Sequence, residues 1–229
     1  MGNLSETIAD ELSCKNVFTI PLFGGIGVSE ATVVTWIIMF IIFLICFIMT
    51  RNLKIENPGK RQLLVESAVD GLTNMAKGFV GEEGGMYVDY LITVLLYLAF
   101  ANLIGMFGFK PPTKDLRVTA ALAIMSIILI EFSGLKKHGP LGFLKSFGKP
   151  SVIVAPLNVL EIGIRPLSLC MRLFGNVLGS LVIMKLIEAV VPVFIPVVFS
   201  LYFDIFDGLI QAYVFVFLTG IFIKEQIEM

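Results

Sequence analysis

Residues 31–50 read ATVVTWIIMFIIFLICFIMT, twenty consecutive residues without one charged side chain. At about 1.5 Å per residue, a helix of that length spans roughly the 30 Å hydrocarbon core of a bilayer. The run therefore reads as a transmembrane helix, and it sets the class of the whole fold. The composition agrees: of 229 residues 57% are hydrophobic and 15% charged, and the mean hydropathy is +0.92, well above an ordinary soluble domain. The chain is expected to be an all-α integral membrane protein.

Downstream of this helix stand Arg51, Lys54, Lys60 and Arg61, and Lys and Arg collect on the cytoplasmic side. Residues 1–30 are then external. They carry Glu6, Asp10, Glu11 and Glu30 and lack the basic start and apolar centre of a cleaved signal peptide, so the N-terminus is expected to be retained. Residues 60–80 place Leu64, Ala68, Leu72, Met75 and Phe79 at helical spacing with charges between them, as in a helix lying on the inner surface.

A second crossing is expected at 87–107, closed by Gly105, Gly108 and the Pro111-Pro112 pair. A third, at 115–135, has Thr113 or Asp115 as N-cap and is followed by Lys136, Lys137, Lys145 and Lys149. Lys110, Lys114 and Arg117 are a smaller external group that runs against this topology. The segment 150–186 is apolar but would reach roughly 54 Å as a helix, too long for a perpendicular crossing, so it must tilt strongly. Pro192 and Pro196 break the chain before a last helix at 197–223, which ends at Lys224. The expectation is one membrane domain over 1–229, with five crossings, the N-terminus outside and the C-terminus cytoplasmic.

The fourth and fifth crossings carry the chemistry. Glu161, Arg165, Ser168, Arg172, Asn176 and Ser180 fall at offsets 0, 4, 7, 11, 15 and 19, one face of a 3.6-residue helix. Asp204, Asp207 and Gln211 fall at 0, 3 and 7, again one face if the helix is regular. Arg172 lies eleven residues from Glu161 and thirteen from Lys185, so roughly 16–20 Å of helix separates it from either charged level. Gln211 reaches a similar depth on the returning helix. An arginine at mid-bilayer costs about 2.5–3.5 kcal/mol on insertion scales. Snorkelling is disfavoured by that depth, and pairing with Glu161 by three turns of separation. A partner on another chain accounts for it better.

The stretch RPLSLCMRLFGNVLGS at 165–180 resembles the [KR]P-x-SL-x-x-RLFGN signature of the F-type ATP synthase subunit a family. FANLIGMFGF at 100–109, PPTKDLRVTAALA at 111–123 and LIQAYVFVFLTGIFI at 209–223 agree in order and spacing. The resemblance covers about 87–224; the N-terminal third matches only in hydropathy. It implies a stator subunit in the cell (plasma) membrane whose two long helices lie against a rotating ring of c subunits, with a peripheral-stalk b subunit, the remainder of the synthase and membrane lipid as further partners. It also implies that Arg172 takes the place of the family's essential arginine, Asn176 that of its RLFGN asparagine, and Gln211 that of the polar residue facing the arginine. No catalytic site or cofactor of its own and no metal centre is expected.

Placed by depth, Asn176, Ser180, Asp204 and Asp207 are candidates for an external half-channel, and Glu161 and Ser168 for a cytoplasmic one, with a structural role as the alternative for the last two. Glu131, at the cytoplasmic end of the third crossing, is a further candidate for the cytoplasmic path, and an interfacial anchor is at least as good a reading of it. Some members carry a glutamate nine residues after the arginine and a histidine seven before the glutamine; here those positions are Leu181 and Asp204. That departure puts a histidine relay in doubt and leaves sodium as the alternative to the family's default, the proton. His138, the one histidine, sits in the Lys-rich loop and is expected to be solvated.

Other classes fit less well. A net charge of −1 with scattered basic residues excludes a nucleic-acid partner. Cys14, Cys46 and Cys170 show no CxxC spacing and read as inert. A secondary transporter would show paired halves with broken helices, and an intramembrane protease would need a dyad from two helices, whereas Asp204 and Asp207 lie one turn apart on one.

Overall fold

Ser29 supplies the first local instruction: its hydroxyl accepts from the Thr32 amide at 3.4 Å and caps α1, Glu30–Thr50, whose first-turn Glu30 also suits the helix dipole. In this computed structural model, residues 16–20, 26–51, 53–54, 59–107, 109–146, 155–191 and 195–228 are described. Most of the external segment expected at 1–30 lies outside them, as do Cys14, Lys149 and the break at Pro192. The all-α expectation holds for the membrane part, but an antiparallel ribbon, β1 (Asn16–Ile20) and β2 (Ile26–Ser29), leads into α1.

Five helical segments among the described residues are long and apolar enough to cross a membrane: Glu30–Thr50, Gly85–Met106, Leu116–Gly139, Leu160–Val190 and Val198–Glu228. The helix α2, Lys60–Val80, is not one of them. It buries Ala76 and Val80 and leaves Leu63, Leu64 and Val69 outside among its charges. Its Phe79 ring meets Phe217 and Tyr213 edge to face, at centroid distances of 5.1 and 5.6 Å, a favourable geometry for paired rings.

The core is built around α3, Val88–Leu103, which runs on into the 3-10 turn Ile104–Phe107. Leu91 and Leu98 are fully buried there with Ile130, Leu173, Ala212, Phe215 and Ile223 of the later helices. α1 touches this core through Val34 and Ile38 against Ala101, and Thr35 meets the Tyr97 hydroxyl at 3.2 Å. Its remaining faces expose Phe40, Phe43, Phe47 and Ile48, which suit lipid as solvent.

Asp115 is the cap of α4, Leu116–Ser146: its Oδ1 accepts from the Arg117 amide at 2.9 Å. The helix continues eleven residues beyond the end expected at 135. Its break lies at Gly139, whose φ of 69° is left-handed and precedes Pro140, so the straight crossing ends there. Then α5, Ala155–Val190, runs 36 residues through Pro166. Arg165, Leu169, Cys170 and Leu173 are its buried side, while Leu160, Ile164, Leu167, Met171, Ile183 and Leu186 remain exposed.

The last crossing is composite. A short helix α6, Ile195–Leu201, passes into a π-helical turn, Tyr202–Asp207, and then into α7, Gly208–Glu228. From its apolar run alone, 197–223 is expected to be one regular helix. A π turn hydrogen-bonds i to i+5 and so shifts every face beyond it.

Candidate functional site

Regular helical spacing puts Arg172 and Asn176, four residues apart, on one face of α5. Asn176 Nδ2 donates to Gln211 Oε1 on α7. Gln211 is 4% exposed, and its Nε2 makes no hydrogen bond among the described residues. Arg172 is half-buried one turn along α5 from this contact. Of the expected group, the structure joins Asn176 to Gln211, and helical spacing sets Arg172 one turn away along α5, with Asn176 itself exposed.

A second polar contact joins α5 to α7, and the sequence reading leaves it out of the candidate site. Arg165 Nη2 donates to Glu161 Oε2 at 2.8 Å and to Glu225 Oε2 at 3.0 Å, and its guanidinium lies 4.9 Å from the Phe222 ring centroid. Arg165 is 8% exposed, whereas the carboxylate side chains are near half exposed. Its membership of the polar stripe was a legible signal; Glu225, 60 residues away and past Lys224, offered none. Between the two contacts α5 advances eleven residues, about 16 Å, while α7 retreats fourteen, about 21 Å, so the two helices run in opposite directions.

The remaining candidates separate. Glu161 is committed to Arg165. Ser168 is exposed, and Ser180 Oγ donates to its own helix, to the Val177 carbonyl at 2.9 Å. Asp204 accepts from Ser200 Oγ at 2.7 Å and lies beside Gly105 at the end of α3. Asp204 thus faces the turn that ends α3 while Gln211 faces α5, which corrects the shared face expected for Asp204 and Gln211; the π turn supplies the physical reason. Asp207 is half-buried within that turn.

Both carboxyl oxygens of Glu131, in the middle of α4, are enclosed and make no hydrogen bond among the described residues. His138 Nε2 is likewise buried without a hydrogen-bond partner there, which corrects the expectation that this histidine is solvated. Among the described residues no three His, Cys, Asp or Glu side chains stand together as a metal site would need.

Such an arrangement can hold a fixed positive charge within an apolar layer and offer amides beside it. Residues 32–224 match the family model described as ATP synthase A chain. Similar proteins include an ATP synthase subunit a 2 of Bradyrhizobium sp., 33% identical over 89% of this chain and 91% of the relative. The ATP synthase subunit a of Moorella thermoacetica is 34% identical, over 90% and 94%. An ATP synthase subunit a 1 of Pelobacter propionicus is 36% identical, over 91% and 92%.

Proposed function

Because this chain belongs to the ATP synthase A chain family, we propose that it carries ions between water and a rotating ring of c subunits by means of Arg172. It is a multi-pass membrane subunit of an ATP synthase, on the stator side and engaged in ion translocation. The observation that carries the finer reading is the Asn176–Gln211 contact, which sets α5 and α7 face to face one turn from Arg172, within helices otherwise apolar.

The mechanism follows from electrostatics. A ring carboxylate that meets Arg172 is held ionised by the opposite charge, so it gives up its bound ion before it passes. The same fixed cation repels any cation that would leak directly between two aqueous half-channels. An ion then crosses only by riding the ring, and about 2.3 kcal/mol per elementary charge per 100 mV becomes available as torque. Asn176, Ser180, Asp204 and Asp207 line the outer access path in this reading, and Glu161 and Ser168 the inner one. The chain forms one membrane domain with the N-terminus outside and the C-terminus in the cytoplasm, and a peripheral-stalk b subunit holds it against the ring. It has no catalytic site of its own.

Cysteines placed at 204 and 207 in the assembled complex are expected to react with water-soluble thiol reagents added from outside, and Asp204→Asn or Asp207→Asn to slow ion entry from that side. Two unreactive cysteines in intact, correctly oriented vesicles would locate the outer path elsewhere.

The translocated ion is the proton in this reading. Ion-binding groups lie mainly on the ring, and the oxygen ligands here would serve a proton or sodium alike. ATP hydrolysis by the membrane-bound complex, followed from nominally sodium-free buffer upward, is expected to be indifferent to sodium. Stimulation by millimolar sodium, with protection of the ring carboxylate from carbodiimide, would make the ion sodium.

A further inference from the structure

Across Tyr202–Asp207 the backbone N–H groups reach back five residues instead of four, and the Gly208 amide points to the Phe203 carbonyl. Wide turns of this kind are rare and recur at functional sites. Asn102, in the last turn of α3 and 7% exposed, braces this one: its Nδ2 donates to the Gly208 carbonyl at 2.8 Å. Its Oδ1 accepts in turn from Thr113 Oγ1 at 3.1 Å, and Thr113 is fully buried.

At Gly208 the two segments approach closely enough to need glycine, and at Gly105 the Asp204 carboxylate comes close. A Cβ on Gly208 would stand 2.8 Å from the Asn102 Cβ, and one on Gly105 would stand 3.1 Å from Asp204 Oδ1. The consequence is one of direction. In an unbroken α-helix Asp204 and Gln211, seven residues apart, would share a face; accommodating about one extra residue in the wide turn rotates them apart by roughly 100°. Hence Asp204 faces Gly105 in the 3-10 turn that follows α3, and Gln211 faces Asn176 on α5.

We propose that Asn102 is a positioning residue for ion entry: its amide pins the wide turn and so points Asp204 toward α3 instead of into line with Gln211. The inference rests on the reading that Asp204 lines the outer access path. Asn102→Asp tests it in the assembled membrane complex at alkaline pH, because the ionised side chain keeps the size and the acceptor for Thr113 and has no hydrogen for the Gly208 carbonyl, whereas the protonated acid would restore one. With Asp204→Cys as reporter, labelling from outside by a water-soluble thiol reagent should fall roughly tenfold, the scale of one lost buried hydrogen bond. With Asp204 intact, ion entry should slow by a similar factor. Its effect on entry should not add to that of Asp204→Asn, because both act on one side chain.

Equal labelling of the reporter with and without Asn102→Asp would overturn the positioning role and leave the outer path standing. A reporter unreactive in both backgrounds would remove the outer path and this inference together. If Asn102→Asp fails to assemble, Thr113→Val takes its place, since it removes only the hydroxyl that orients the Asn102 amide. A smaller fall in labelling is then expected, and an unchanged rate overturns the proposal.

Discussion

Arg172→Ala is expected to reduce ATP-driven ion pumping to background while the subunit inserts at wild-type level. The two halves of that expectation have one origin. A guanidinium at mid-membrane costs about 2.5–3.5 kcal/mol to insert, so alanine makes insertion easier while it removes the charge that acts on the passing carboxylate. Pumping into inverted vesicles, beside an immunoblot of the same membranes, checks both. Normal pumping with a full complement of the subunit would sink the assignment. Arg172→Lys should fail or nearly fail as well, since an ammonium on a flexible stem lacks the planar fork of five donors. Gln211→Leu should be milder than either, because it removes an amide partner and leaves the charge.

The second large effect is expected at Arg165, and it is structural before it is functional. Arg165→Ala leaves Glu161 and Glu225 facing each other without the cation that joins them and empties the space against Phe222. Fully buried pairs cost about 3–5 kcal/mol when one partner is lost, and exposed pairs about 0–1. With a buried arginine and half-exposed carboxylates, a loss of roughly 2 kcal/mol is the expected scale. A lower unfolding temperature of the purified complex, with several-fold less subunit retained in detergent, would register it. The control is a double-mutant cycle: in a Glu225→Gln background Arg165→Ala should cost less than in the parent. The same cost in both backgrounds would show that Arg165 does not join α5 to α7 through Glu225.

Five apolar helices long enough to cross a membrane, the amphipathic helix after the first of them and the Arg172–Asn176 face were legible because each depends on residues close together in the chain. A run such as 31–50 excludes water by composition alone, and side chains four apart on a helix share a face whatever packs against them. Where the chain had to choose a neighbour, local pattern lost its authority. The Arg165–Glu225 pair joins residues 60 apart, and the Asn102–Gly208 bond residues 106 apart. Both depend on how α3, α5 and α7 pack against one another. The π turn is the clearest case: nothing in YFDIFD demands i to i+5 bonding, and an assumed 3.6-residue period put Asp204 in line with Gln211. The sequence by itself determined the apolar solvent and the five helices long enough to cross it. Only the tertiary structure decided which way Asp204 points, because the amide that braces the wide turn comes from another helix.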